Sequence, residues 1–324
     1  MATVGIIVNP AAGKDIRRLV ASASPSSDVA KMGMVRRAVI GAVEGGATRV
    51  LLSADRHELG RRAVDGLDLA ADIEVVGDDP VGTGRDASAA ARRLQCEAAG
   101  AVVVLGGDGT QRDVAQGWLS APIVAVSVGT NNVFPRAVEA TVAGHTAALV
   151  ATGSVPLDDV SRPAKVIHAQ FDGDSEDDLA LVDVALVEGN FTGSRAVWDP
   201  TRIRSVVAAI AEPSAVGLSA VAAMGKTVSR HDDGGVRVDL GPSGAVGRAP
   251  IAPGLYADVS IEQVQPLADD ETTSLVGPGV LAFDGERDRV LASGESTRLT
   301  VRRDGPRVID IERTMGAEHP SRTD

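Results

Sequence analysis

The chain has 324 residues, 44% of them hydrophobic and 23% charged, about twice the length of an average domain, so two ordinary globular cores are expected. Its formal net charge of −12 argues against a nucleic-acid or anionic-membrane partner, which needs a basic face, and the single Cys96 excludes an internal disulfide or a multi-cysteine zinc site. No apolar run approaches the roughly 20 residues of a bilayer span, and Met1–Val8 enters a strand-like run with neither basic segment nor cleavage site, so a cytoplasmic chain without stable membrane association is expected.

The first half alternates. Apolar runs at Val4–Val8, Val50–Ser53, Ile73–Gly77, Ala101–Leu105 and Ile123–Val128 read as strands buried on both faces. Between them, Lys31–Val43, Glu58–Leu67, Asp86–Ala99, Gln111–Leu119 and Arg136–Thr152 have helical spacing. This predicts an α/β domain over 1–152, an open parallel sheet with flanking helices. After Gly153 the texture changes. Ala164–Phe171 and Leu179–Glu188 read as strands around the acidic turn Asp172–Asp178, while Thr201–Ile210 and Ala215–Met224 have helical spacing. Val236–Leu240, Leu255–Gln263, Gly279–Phe283, Arg298–Arg303 and Val308–Glu312 read as strands between Gly/Pro turns. A β-rich, antiparallel second domain over 153–315 is expected, with a frayed tail at 316–324.

In an open parallel sheet ligands bind beyond the carboxyl ends of the strands, so those loops carry the candidate chemistry. The first ends in Asn9-Pro10-Ala11-Ala12-Gly13-Lys14, which is not a Walker A loop; it reads either as a chain-reversing turn or as a polar turn for a phosphate. The fourth ends in Gly106-Gly107-Asp108-Gly109-Thr110. Three glycines around one aspartate let backbone amides approach a ligand at a helix start, and the carboxylate can take a hydroxyl's proton or help hold Mg²⁺. The alternative is a helix cap in a tight turn. The fifth ends in Gly129-Thr130-Asn131-Asn132, whose amides suit ribose hydroxyls or a phosphate, or cap the next helix. Gly82-Thr83-Gly84-Arg85-Asp86-Ala87 fits GxGxxA but follows the third strand, where the dinucleotide fingerprint does not belong; it reads as a flexible loop and helix start. The five histidines show no metal-ligand spacing.

Asn9-Pro10 with Gly13, then Gly106–Thr110, then Gly129–Asn132 resemble, in order and position, the superfamily of NAD kinases and diacylglycerol and sphingosine kinases. Phe283-Asp284-Gly285-Glu286 matches the DGE of the lipid-kinase branch, although Asp-Gly is also the commonest hairpin turn. The runs Gly13–Arg18 and Gly129–Pro135 look most like the ATP-NAD kinase-like proteins, which include those associated with acetoin catabolism. The resemblance implies an N-terminal α/β domain carrying GGDGT, a C-terminal β-sandwich-like domain, and ATP between them. It implies that Asp108 acts on the acceptor hydroxyl, helped by Mg²⁺. By the same likeness Asn9, Gly13, Gly106, Gly107, Gly109, Thr110, Thr130, Asn131 and Asn132 shape the nucleotide-phosphate site, and the protein is a homo-oligomer.

The chain departs from the pattern where the acceptor would bind. Val133 replaces the Asp of GTxND, Arg195 interrupts a TGSTA-like run at Thr192–Ala196, and Val182-Asp183 stands where NAD kinases have Asn-Glu. Asp183, Thr192, Ser194 and Arg195 are thus candidate substrate contacts. Arg195, before Val197 and Trp198, reads independently as a phosphate or carboxylate ligand or as a surface arginine, and Arg17 and Arg18 as triphosphate contacts or solvated helix. The expected activity is a phosphotransferase with an alcohol acceptor, using ATP or another phosphoryl donor, with NAD as first acceptor. The competing readings are a kinase of a small metabolite or lipid hydroxyl, an inactive nucleotide-binding regulator, and an oxidoreductase using Gly82–Ala87.

Overall fold

The computed structural model describes residues 1–13, 26–77, 79–129, 131–172, 176–189, 197 and 199–318. Five apolar runs form parallel strands β1 (Thr3–Val8), β2 (Arg49–Ser53), β3 (Asp72–Val76), β4 (Ala101–Gly106) and β5 (Pro122–Ser127). Every residue of β1 and β4 is buried, as a strand covered on both faces requires. The strands stand in the order β3-β2-β1-β4-β5. The chain therefore winds outward from β1 on one side, then crosses to β4 on the other. The switch point between β1 and β4 opens a crevice at their carboxyl ends, where Asn9 and Gly106–Thr110 sit.

Helices α1 (Asp28–Glu44), α2 (Leu59–Val64), α3 (Gly84–Cys96), α4 (Asp108–Gly117) and α5 (Ala140–Ala151) cover the sheet. On one face Val35 and Val39 of α1 and Ala143 and Ala147 of α5 pack on Val4, Ile6 and Val103. On the other, Ala91 and Leu94 of α3 and Val114 of α4 pack on Ile7, Val102 and Val104. With few aromatics to fill space, the helices close up. A Cβ on Gly41 would stand 2.0 Å from the Thr141 carbonyl oxygen, and one on Gly144 2.0 Å from that of Ala38.

The second half, reached through the short α6 (Leu157–Val160) and β6 (Ser161–Pro163), is a sandwich of two antiparallel sheets. One holds β7 (Val166–Phe171), β8 (Asp178–Ala180), β13 (Thr272–Val276) and β16 (Ser296–Arg302), in the order β13-β16-β7-β8. The other holds β9 (Asp183–Val187), β10 (Ile203–Ala208), β11 (Gly235–Ala252), β12 (Leu255–Leu267), β14 (Gly279–Phe283) and β15 (Glu286–Leu291), in the order β12-β11-β10-β9-β14-β15. Ile167, Val184, Leu186, Val207, Phe283, Leu299 and Val301 fill the space between. Helix α7 (Leu218–Gly225) covers the outer face of β10 and β11.

Three elements differ from expectation. Thr201–Ile210, expected as helix, is a 3₁₀ turn at Pro200–Arg202 followed by β10, because Val206, Val207 and Ala208 are buried on both faces and such a strand shows no alternation. Leu179–Glu188 breaks between β8 and β9, where the Leu181 and Val182 amides bond a side chain instead of a strand. The last strand, β17 (Arg307–Ile309), returns to the first sheet, parallel to β5 and antiparallel to β6, and α8 (Ile311–Glu318) packs on α5.

Gly144→Ala should lower stability by about 1–3 kcal/mol, since the added methyl meets backbone that cannot step aside. Urea unfolding measures this, and an unchanged midpoint would contradict the helix contact.

Candidate active site

Asp108 is the first residue of α4, and the cap before it, Gly107, has no side chain to satisfy the first-turn N–H groups. That end of a helix favours an anion. The Asp108 carboxylate turns to the neighbouring loop after β5. Oδ1 accepts from the backbone N–H of Val133 at 3.0 Å and of Phe134 at 2.8 Å, and Oδ2 accepts from Val133 at 3.1 Å. The loop can present these amides because its base is closed: Ser127 N–H donates to the Arg136 carbonyl at 2.8 Å and Arg136 N–H to that of Ala125 at 3.3 Å. Phe134 anchors it in the core at 4% exposure. The fit between loops is close. A Cβ on Gly107 would lie 2.8 Å from Oδ1 of Asn132, whose Nδ2 donates to Ser127 Oγ at 2.7 Å. Beside it, both polar atoms of the Asn131 carboxamide are buried and find no hydrogen-bond partner among the described residues.

Asn9 ties the first loop to this centre. Its Nδ2 donates to Thr110 Oγ1 at 2.8 Å, and its Oδ1 accepts from Ala11 N–H at 2.8 Å, closing the turn. Lys31 of α1, fully buried, donates to the Pro10 carbonyl from below. Gly13, at φ +70°, lies against Gly129 and the Val128 carbonyl. The loops after β1, β4 and β5 thus meet at one place.

The second half reaches the same centre. Asp284 and Gly285, at φ 48° and 78°, form the two-residue turn between β14 and β15. The turn is also more than a turn: the Asp284 carboxylate points inward, 7% exposed, and accepts from the N–H groups of Leu181, Val182 and Asp183 at 2.8–3.3 Å. Burial pushes this carboxyl up to about 7, opposed by Arg112 and by the amides and reinforced by Asp108. Asp183 is buried beside it at 4% exposure. Glu286 Oε1 lies 3.8 Å from where a Cβ on Gly109 would stand, so the β14–β15 turn faces the glycine loop of α4. Arg112, one turn along α4, braces the contact: its Nη2 reaches Asp178 at 2.6 Å and Asp288 at 3.0 Å, its Nε donates to the Leu179 carbonyl at 2.7 Å, and it lies over the Phe283 ring at 4.6 Å. Burial works against that charge, but Asp178, Asp284 and Asp288 outweigh it and raise the pKa.

A cleft of about 260 Å³ opens beside Asn9, lined also by Asp55, Arg56, His57, Gly82, Thr83 and Asp86. Sequence reasoning missed this wall. Gly82–Ala87, expected as a flexible loop and helix start, opens α3 at Gly84, with Thr83 in the cap position but making no side-chain cap bond. The segment Ser53–His57 also follows a strand's carboxyl end, the rule that flagged the other loops. Among the described residues no group of three or more His, Cys, Asp or Glu gathers as a metal site. Asp108 and Glu286 fit an Mg²⁺ ion arriving on nucleotide phosphates, since that ion takes one or two carboxylates plus phosphate oxygens. Thr130, Thr192, Ser194 and Arg195, with Arg17, Arg18 and Trp198, lie outside the described residues. No described helix is long and apolar enough to cross a membrane.

Residues 165–304 match the family model of the acetoin catabolism protein X C-terminal domain, and residues 67–161 that of the diacylglycerol kinase catalytic domain. The chain is 32% identical over 336 residues to acetoin catabolism protein X of Cupriavidus necator, covering 96% of this chain and 91% of the relative. Yeast NADH kinase complexed with NADH shares the fold at TM-score 0.55 and 14% identity, over 98% of this chain and 86% of that one.

The buried carboxyl of Asp284 gives a pH signature. Its folded pKa near 7 exceeds an unfolded value of about 4, so its contribution to stability is full in acid and is lost as pH rises through about 7. The melting temperature of wild type minus that of Asp284→Asn should therefore fall between about pH 4 and about pH 7; a constant difference would contradict the burial.

Proposed function

The chain belongs to the acetoin catabolism protein X family, within the NAD kinase and diacylglycerol kinase-like superfamily, and from that premise we propose that it transfers a phosphoryl group from Mg·ATP, or another phosphoryl donor, to an alcohol. One observation carries the reading: the Asp108 carboxylate is held in one orientation by the Val133 and Phe134 amides, at an uncapped helix start whose Gly109 faces the Asp284–Glu286 turn of the other half. Phosphoryl transfer of this kind needs little covalent help; it needs the two reactants aligned and the phosphate charge matched by fixed dipoles. Amides of the Gly107–Gly109 turn supply those dipoles. Asp108 accepts the attacking hydroxyl's proton as its oxygen bonds to phosphorus and the bond from phosphorus to the donor's leaving oxygen breaks, releasing ADP when ATP is the donor. The rest of the nucleotide lies toward the cleft, where Arg56 and the α3 start favour negative charge. Asp108 and Glu286 would hold a magnesium ion carried on the phosphates, which would neutralise their charge.

The acceptor lies on the side of the second half. NAD is the first candidate, supported by the fold shared with yeast NADH kinase. The unpartnered Asn131 carboxamide suits a sugar hydroxyl, which both donates and accepts. The name of the Cupriavidus necator relative favours a second class, a small hydroxyketone such as acetoin. Val133, a backbone contact where lipid kinases carry Asp, supports a binding-only regulator instead if no product forms.

Asp108→Asn should reduce phosphorylated product by about 100-fold or more while nucleotide affinity and far-UV circular dichroism stay close to wild type. The assay is mass spectrometry after incubation with Mg²⁺, ATP, NAD and a metabolite panel containing acetoin. Turnover near the wild-type rate in the variant removes Asp108 from the reaction.

A further inference from the structure

Arg230 stands in the turn before β11, in the second half, yet its guanidinium reaches into the β5 loop of the first. Nη2 donates to the Val133 carbonyl at 2.7 Å and Nη1 to the Phe134 carbonyl at 3.0 Å. These are the residues whose N–H groups bind Asp108. The peptide unit joining Val133 to Phe134 is therefore bonded at both ends, its oxygen to the Arg230 cation and its nitrogen to the Asp108 anion. Hydrogen bonds in series polarise one another, so a cation on the carbonyl strengthens the amide as a donor to the carboxylate.

The turn that carries Arg230 is itself tied down by two cations, Lys165 buried and Arg303 partly so. Lys165 Nζ donates to the Ser229 carbonyl at 2.9 Å and the Gly234 carbonyl at 3.0 Å. Arg303 donates to the Arg230 carbonyl at 3.3 Å and that of Asp232 at 2.7 Å. Asp232 closes the turn on Ser229 N–H at 2.8 Å. Glu212 Oε1 stands 3.7 Å from Arg230 Nε, on the side away from the carbonyls. A guanidinium is the right group for this place, because its planar fork meets two carbonyls at once where an ammonium is a single point.

We propose that Arg230 is a positioning residue for Asp108, acting through the Val133–Phe134 peptide, so that the carboxylate is correctly aimed only while the β-rich half is docked. This rests on the reading of Asp108 as the phosphoryl-transfer carboxylate. A merely adhesive arginine would lower stability without touching the two amides selectively.

The test uses the full chain and two readouts. Amide hydrogen exchange at Val133 and Phe134, measured by nuclear magnetic resonance, should accelerate at least about 10-fold in Arg230→Ala and less in Arg230→Lys, with α1 and α5 amides unchanged. Steady-state kinetics with the acceptor found by the product screen should show kcat down about 10- to 100-fold, KM for Mg·ATP within about threefold, and partial recovery with added methylguanidine. Unchanged exchange at the two amides overturns the proposal whatever the activity. So does faster exchange with wild-type kcat. Uniformly faster exchange across the first sheet, in Arg230→Lys as in Arg230→Ala, overturns it too, since that marks general loosening. If wild type phosphorylates nothing, the kinase reading fails by itself, and the exchange ratio still decides whether Arg230 aims the carboxylate.

Discussion

A carboxylate drawn partly out of water needs donors, and Asp108 finds donors in the Val133 and Phe134 amides of a neighbouring loop. That constraint organises the centre of the molecule. The Val133 and Phe134 amides can serve only if the loop after β5 folds back on its own strand, which the Ser127–Arg136 pairing enforces. Gly107 must lack a side chain, because Asn132 occupies the space a Cβ would take. Arg230 holds the far side of the loop, and Arg112 holds Asp178 and Asp288 of the second half.

The two halves share this centre through polar contacts as well as through an apolar cluster in which Leu181, Val182 and Ile210 join Ile7, Val104 and Phe134. Arg112, Arg230 and Asp284 each connect segments far apart in sequence, and each is largely buried. Removing one partner from such a set leaves the others unpaired in a dry place, which costs more than a lost surface ion pair. Family membership follows the same division: the kinase catalytic model matches 67–161 and the acetoin-family model 165–304. The glycine loop lies in one stretch, the Asp284–Glu286 turn in the other, and they meet at Gly109.

The first half was legible because a parallel sheet writes itself as solid apolar runs between amphipathic stretches, and all five strands and five helices lie where that pattern puts them. The glycine loop was legible because three small residues around an aspartate have few other uses. The second half was harder. Val206–Ala208 carries no alternation, since both its faces are covered, and helical spacing was an accident of its alanines. The strand at Arg307–Ile309 was visible, but its return to β5 was not, because pairing over such a separation leaves no local mark. Arg230 left no mark either: its partners are backbone carbonyls, which carry no residue identity. Asp284 reads both as a hairpin turn and as part of a family motif, and the geometry shows the turn and adds a buried carboxyl that no turn requires.

The central claim, that the Asp108 carboxylate faces a polyphosphate between the halves, is met most directly by a crystal structure with Mg²⁺ and a non-hydrolysable ATP analogue. The account predicts the terminal phosphate on the amides of the Gly107–Gly109 turn, between Asp108 and Glu286, with the Val133 and Phe134 amides still on the carboxylate. A triphosphate bound elsewhere, leaving the Gly107–Gly109 amides and Asp108 without phosphate contact, would contradict it.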